Sequence, residues 1–575
     1  MDSNKKTTEI NQQKPLRLRP AIIIVIIQWI LWLILPNFAY GANATAISVF
    51  GGLLGGIAII VWWMFFSRAT RSDRWIALIS MIIALLLIPR FTHVSIATGM
   101  AGLMFYVYTI PTLSLAFVAW ALISPKLYVV PRRIIMILTI FLACGIWTIV
   151  KSDGITGTVS VIFSWRWAET NEERLLVLDE NEPMISSANL VLSETEAEWP
   201  GFRGPKRDGI VHNVQIKTNW SETPPVELWR RPVGPGCSSF AVHGNLIYTQ
   251  EQRGEEESVA CYDLNTGEPL WRHHDKARFW DSHAGAGPRS TPTLYNNRVY
   301  TFGATGILNV LDARDGSVVW THNVASDTEA KDSGWGFSSS PLVVDSVIIV
   351  AATGKLAAYD INTGEALWFG PDGGDSYSSP HLLTIDGVKQ VLLMSGVGAT
   401  CFAPANGELL WEYAWPKETR IVQPALVANN QILMNAGERK GMGLLEVTQG
   451  PEGWNIEERW KSTRLKPDFN DFVVHKGHVY GFNGPVIACM DIKEGKRMWQ
   501  GDRYGGQLLL LVDQDLLLIL SEKGQLKLVE AKPDQFTEIA DFPLIEGKTW
   551  NHPVLVNDLL LVRNTEVMAA YRLPK

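Results

Sequence analysis

Five cysteines in 575 residues, with no C-x-x-C and no adjacent pair, exclude a zinc knuckle and a disulfide framework. No G-x-S-x-G, H-E-x-x-H or P-loop string occurs, so the short signatures of serine hydrolases, zinc proteases and P-loop nucleotide hydrolases are absent. No charge of one sign dominates. The 51 Lys and Arg against 58 Asp and Glu leave a net charge of −7, which gives no basic footprint for a nucleic-acid partner. Charge is scarcest near the N-terminus. Five apolar stretches, 21–35, 46–66, 75–88, 96–123 and 134–150, contain no Asp, Glu, Lys, Arg or His.

Those stretches predict a membrane bundle of about five helices over residues 21–150, behind a basic cytoplasmic tail of residues 1–20. The third is short for a bilayer crossing, and the parity of the crossings turns on it. With the N-terminus inside, the inner segments carry eleven basic residues and the outer ones two, Arg90 and Lys151. This bias places everything after residue 151 outside the cytoplasm, which in a bacterium means an inner-membrane protein with a periplasmic domain. Without charged residues in the spans, a proton or ion path has no ligands, and an anchor or helix-packing role is favoured. The pairs Gly51-Gly52 and Gly55-Gly56 let another helix approach closely, or pack the bundle against itself. Residues 151–198 are acidic and read as an exposed linker.

What the chain has in abundance is tryptophan, 23 in all, and five of them end degenerate copies of one ten-residue run. YDLNTGEPLW ends at Trp271, LDARDGSVVW at Trp320, YDINTGEALW at Trp368, FAPANGELLW at Trp411 and MDIKEGKRMW at Trp499. Glycine stands sixth in each (Gly267, Gly316, Gly364, Gly407, Gly495) and aspartate second in four (Asp263, Asp312, Asp360, Asp491). The tryptophans fall 49, 48 and 43 residues apart, and Trp460 divides the last interval of 88 into 49 and 39. Such periods mean one β-blade per repeat. The glycine supplies the positive φ of a hairpin turn, and the aspartate accepts N–H bonds inside it. The tryptophan packs its face on the next sheet. Cys261, Cys401 and Cys489, two residues before the aspartate or its equivalent, read as small buried fillers.

This pattern is similar to the tryptophan-docking motif of pyrroloquinoline quinone (PQQ) type β-propellers. That family includes quinoprotein dehydrogenases and a cofactor-free lipoprotein of the outer-membrane β-barrel assembly machine. The resemblance covers residues 199–575, and EWPGFRGPKRDG, 198–209, looks like the opening of many bacterial propellers of this class. Helices followed by such a propeller also resemble the layout of membrane-bound glucose dehydrogenases, which pass electrons to ubiquinone.

First strands begin near Phe240, Pro292, Pro341, Pro380, Pro424, Phe472, Leu509 and Pro553, which predicts an all-β propeller of eight blades. The last blade lacks an outer strand, and VELWRRPV, with Trp229, is expected to supply it and close the ring. Proline at five of the eight starts fits an inner edge strand.

The residue before each start is Ser239, Thr291, Ser340, Ser379, Gln423, Asp471, Leu508 or His552, polar in all but Leu508. With Ser339, Asn470 and Asn551 one step earlier and Arg289, Trp335, Tyr377 and Trp550 in the leading loops, they are expected to ring one mouth of the channel. Aromatic faces, cations and polar groups together suit an anionic or sugar-like ligand. The family resemblance implies PQQ with calcium as the cofactor to test. Arg289, Trp335, Trp550, Asn470 and Asp471 are of suitable type for it, but align individually with none of its roles. About 47 residues per blade leave little loop to roof a cofactor, and the adjacent-cysteine pair of the alcohol dehydrogenase branch is missing. The reading is therefore an extracytoplasmic binding or assembly module that meets the lipid bilayer and a protein partner on the propeller face. The alternative is a PQQ-dependent dehydrogenase of sugars or alcohols. His273-His274-Asp275 is read as a solvated loop.

Overall fold

A computed structural model of the chain describes residues 16–35, 42–157, 160–179, 195–332, 334–437 and 440–575. Lys5, Lys6 and Lys14 of the basic tail, and Glu180, Glu182 and Glu194 of the acidic connector, lie outside the described residues. The chain forms two units, residues 1–155 with 159–168, and residues 156–158 with 169–575.

The first unit is helical. Four helices, Ala46–Phe66, Arg71–Phe91, Met104–Ile123 and Val129–Thr148, are long and apolar enough to cross a membrane; a fifth, Leu18–Ile34, is apolar but shorter. The stretch expected to be short at 75–88 is thus extended at both ends. Thr70 caps it by accepting the Asp73 N–H at 3.2 Å, and Asp73 then pairs with Arg132 at 2.5 Å and Arg133 at 2.6 Å. The stretch expected at 96–123 is broken, because Met100, Ala101 and Gly102 have positive φ and separate Val94–Thr98 from Met104–Ile123. The glycine pairs pack the bundle against itself. A Cβ on Gly55 would stand 2.5 Å from the Gln28 side chain, and one on Gly56 would stand 2.2 Å from Ile110. Residues Val150–Ile155 and Val161–Trp165, placed by sequence in the linker, pair as a hairpin and belong to this unit.

The second unit is an eight-bladed β-propeller. Each blade is an antiparallel sheet whose strands run outward in chain order, at residues 241–275, 293–323, 342–369, 381–414, 425–462, 473–503, 507–543 and 554–572. The eighth blade has three strands of its own. Its fourth is Val226–Pro232, antiparallel to Val567–Arg572, with Trp229 opposite Ala570. One closed ring therefore joins the two ends of the propeller, and no blade edge is left open at the junction. The helix Asn171–Asp179 belongs to this unit too, where Glu172 accepts the Gly254 N–H at 2.9 Å and pairs with Arg278 at 2.8 Å. His273-His274-Asp275 is no loop but the end of the outer strand Pro269–Asp275. There the His274 ring meets Ser258 Oγ at 2.8 Å, and Asp275 accepts from Asn309.

The repeat motif works across seams rather than within blades. Gly267, Gly316, Gly364, Gly407 and Gly495 have φ between +63° and +74°. Each also lies under a tryptophan of the preceding blade: a Cβ on Gly316 would stand 2.4 Å from the Trp271 ring, and one on Gly407 would stand 2.5 Å from Trp368. The indole N–H then reaches the same turn. Trp229 donates to Leu264 O at 2.9 Å, Trp271 to Ala313 O at 3.2 Å, Trp320 to Ile361 O at 3.2 Å and Trp368 to Pro404 O at 3.0 Å. Trp460 and Trp499 do the same to Ile492 and Lys532. Asp263 and Asp360 Oδ1 accept the two following turn N–H groups, all at 2.9 Å. Cys261, Cys401 and Cys489 are fully buried.

Candidate functional site

The inner strands start at a hydrogen-bonded belt. The Ser239 N–H donates to Thr291 Oγ1 at 3.2 Å, Thr291 N–H to Ser340 Oγ at 3.0 Å, and Ser340 N–H to Ser379 Oγ at 2.9 Å. In the amide orientation that satisfies its neighbours, Gln423 accepts the Ser379 N–H at 3.1 Å. Gln423 N–H then donates to Asp471 Oδ1 at 2.8 Å and Asp471 N–H to Gln507 Oε1 at 3.4 Å, while Ser239 Oγ–H donates to His552 O at 2.6 Å. A side chain at the start of each blade thus satisfies the backbone of its neighbour, the use that buried N–H groups beside a channel require. The apparent break in the polar series at Leu508 is a shift of one residue, since Gln507 fills the place. Blade 7 also differs in that Ile210–Val211 runs parallel to its first strand, which is therefore no edge and carries no proline.

The channel is filled from below by the segment 199–211. Trp199 exchanges backbone bonds with Val242, Pro200 O accepts from Leu294 N–H, and Gly209 O accepts from Leu510 N–H. Two arginines of this segment point into the axis. Arg203 donates to Asp208 O at 2.9 Å and to Phe472 O at 2.5 Å; Arg207 donates to Pro341 O at 2.8 Å and Ser340 O at 3.0 Å. The sequence reading singled out this segment without giving its arginines a place.

The structure separates the candidate residues into two sets. Ser339, Ser379, Gln423, Asn470, Asp471 and Asn551 are buried, at 1–5% exposure. Ser339 Oγ accepts the Ala351 N–H, Asn470 donates to Gly506 O, and Asn551 donates to Gly236 O and Ser238 O. Asp471 lies 3.7 Å from Arg203 Nε and 3.4 Å from His552 Nε2. Burial alone would raise its carboxyl, but Arg203, His552 and the Gln423 N–H together hold it below the usual range. Burial pushes the His552 imidazole down against the pull of Asp471, and burial with Arg207 and Arg203 pushes His381 down to about 3.

Arg289, Trp335, Tyr377 and Trp550 come together in the loops above the belt. Trp335 stacks on Tyr377 with centroids 5.0 Å apart, and the backbone N–H of Trp335 donates to the Tyr377 hydroxyl at 3.2 Å. Arg289 pairs with Asp281, donates to Gly285 O at 2.7 Å and Trp335 O at 3.3 Å, and lies 5.0 Å over Phe279. Lys548 stands 4.2 Å from the Trp550 ring and donates to His283 O at 2.8 Å; burial holds its ammonium below the usual range. Trp550 donates to Glu522 at 2.7 Å. Sequence reasoning missed Asp281, His283 and the half-buried Cys237, which lies 3.8 Å from Arg289. Their position in the loops leading to first strands was the available signal.

The aromatic and cationic half of this face suits a flat anionic ligand. The calcium half of a quinone site does not fit. Asp471 is wedged between Arg203 and His552, and the Asn470 amide is engaged to Gly506. Among the described residues no group of three or more His, Cys, Asp or Glu converges on one point.

Residues 220–373 and 255–500 match the family model described as outer membrane protein assembly factor BamB. The chain is 25% identical over 356 residues to outer membrane protein assembly factor BamB of Yersinia pestis, covering 60% of this chain and 77% of that protein. It is 30% identical over 155 residues to BamB of Shewanella oneidensis, covering 25% of this chain and only 36% of that protein's length. A third similarity, 29% identity over 132 residues, is to quinoprotein alcohol dehydrogenase PedH of Pseudomonas putida and covers 20% of each chain.

Proposed function

Starting from a propeller built of PQQ-like repeats, we propose that this protein is a membrane-anchored, extracytoplasmic binding and assembly module. The observation that carries the reading is the engagement of the polar side chains in the channel. Asp471, Asn470, Gln423 and Ser379 are consumed by the belt and by Arg203, and the axis is filled by the chain's own segment 199–211. A partner would meet the loop face bearing the partly exposed rings of Trp335 and Trp550. Four helices with the length and composition of membrane spans support anchoring, and with the shorter apolar helix Leu18–Ile34 counted as a fifth crossing the basic bias of eleven to two in the loops supports a propeller outside the cytoplasm. Similarity to BamB supports a protein partner of the outer-membrane assembly class.

The test is crosslinking. A photoreactive residue placed at Trp335 or Trp550 of the full-length protein should trap a protein partner in the periplasm of living cells, and one placed in the buried belt should trap nothing. Equal yields from both positions, or a reporter after Lys575 active only in the cytoplasm, contradict the proposal.

A second reading, a dehydrogenase of sugars or alcohols that uses PQQ and passes electrons to ubiquinone, is supported by the stacked and cation-flanked aromatics at the mouth and by similarity to PedH. It requires Asp471 to leave Arg203 and His552. Titration of the purified protein with PQQ and calcium decides it, through quinone binding at micromolar concentration and dye reduction with a sugar or alcohol.

A further inference from the structure

We propose that the axis of the propeller holds a small monovalent inorganic anion, of the halide class, between Arg207, Arg203 and His381. The case begins with Arg207. Its two terminal nitrogens are fixed on the carbonyls of Pro341 and Ser340, which set the plane of the guanidinium, and its Nε has no hydrogen-bond partner within the protein. Among the described residues no carboxylate lies within ion-pair distance of it. Burial, with the like charge of Arg203 as the smaller cause, brings its pKa down to about 10.

Three more polar atoms at the axis are buried without a hydrogen bond: His381 Nδ1, His552 Nδ1, and Arg203 Nε, which has only the ion pair with Asp471 at 3.7 Å. Arg203 is 4% exposed and His381 7%. His381 has Arg207, Arg203 and Asp471 as its charged neighbours. Asp471 is the one carboxylate acting on this group, and Arg203 and His552 already share it. Two guanidinium charges therefore face one carboxylate, with imidazoles that burial keeps neutral.

A buried water satisfies donors but cannot balance charge, whereas one monovalent anion does both. The imbalance is a single charge, which sets the valence. The segment 199–211 fills the channel, which limits the size. A neutral imidazole presenting Nδ1–H and a guanidinium Nε–H are the donors a halide takes.

The test uses the full-length protein in detergent, unfolded by heat at constant ionic strength while sodium gluconate is replaced by chloride or bromide. The expected result is a saturable rise in Tm of several degrees. It should be abolished in Arg207→Gln, and in His381→Gln its midpoint should move to about tenfold higher halide, the loss of one hydrogen bond to a charged group. Crystals of the unaltered protein soaked in bromide should show an anomalous peak in contact with Arg207 and His381, a readout that stands even if Arg207→Gln does not fold. A Tm indifferent to halide, an equal rise in Arg207→Gln, or an axis with density but no bromide signal overturns the proposal; the last outcome assigns the site to water.

Discussion

The seam between blades 1 and 2 and the seam between blades 4 and 5 meet the same demand in different ways. At the first, Trp271 lies on Gly316 of the next blade and donates to Ala313 O. At the second, Trp411 is equally buried but donates to Gln390 of its own blade at 2.6 Å. The cause lies in blade 5. Its outer strands, Met442–Gly450 and Gly453–Ser462, are the longest pair in the ring, and their turn at 450–453 is carried beyond the reach of the indole. Ile432, Leu445 and Val447 of blade 5 cover the Trp411 ring instead, in one apolar cluster. Docking on a glycine turn is thus one solution to sealing a seam, available only when the third and fourth strands are short. Packing of the indole into the apolar seam is what the two have in common.

The largest expected effect separates closure from burial. Trp229→Ala and Trp411→Ala should each cost about 3–5 kcal/mol in denaturant unfolding, the range for a buried large aromatic. Only Trp229→Ala should release the amides of Val226–Pro232 and Val567–Arg572 to rapid hydrogen exchange, because only there does the ring join chain ends. Equal exchange in both variants would mean that the closing strand is held by its ladder alone.

The glycine turns offer a second contrast. Gly316 and Gly477 share a φ near +75°, but a Cβ on Gly477 meets nothing within 4 Å. Gly477→Ala should therefore lose about 1–2 kcal/mol from backbone strain. Gly316→Ala should lose about 1–3 kcal/mol more, because the Trp271 ring must shift. Matching melting temperatures for the two variants would remove the indole from the account of this glycine.

The axis adds a pH dependence that the seams lack. His381 is held neutral when folded, with a pKa of about 3 against about 6.5 in the unfolded chain. Its contribution to stability is whole above pH 6.5 and is lost as pH falls toward 3, at up to about 1.4 kcal/mol per pH unit. His381→Gln should flatten that acid arm, read from unfolding free energies between pH 7 and 4. The smallest effect is expected in the belt. Ser340→Ala leaves the Thr291 N–H without its acceptor and should cost about 1–2 kcal/mol, with no change in pH dependence.

Much of this was legible in the linear chain. The turn aspartates and glycines, the eight strand starts and the borrowed strand with Trp229 follow from spacing and turn chemistry, which are local. The partner of each tryptophan that docks on the next blade was also near in sequence, 32 to 42 residues on, yet the contact that makes glycine obligatory could not be read, since it depends on how closely two sheets approach. The candidate residues were found as a list and divided only by the fold. Ser379, Gln423 and Asp471 look like ligand groups in sequence because the same polar atoms serve a neighbour's backbone and a ligand equally well.

Periodicity by itself determined that this protein has an apolar helical part and an eight-bladed ring closed by an upstream strand, because alternation, turn residues and apolar length are properties of short stretches of chain. Only the tertiary structure decided that the channel is filled by residues 199–211, that Arg203 meets a carboxylate there while Arg207 meets none, and which polar side chains remain uncommitted. Those outcomes depend on which groups, hundreds of residues apart, compete for the same hydrogen bonds and charges, and no local pattern records that competition.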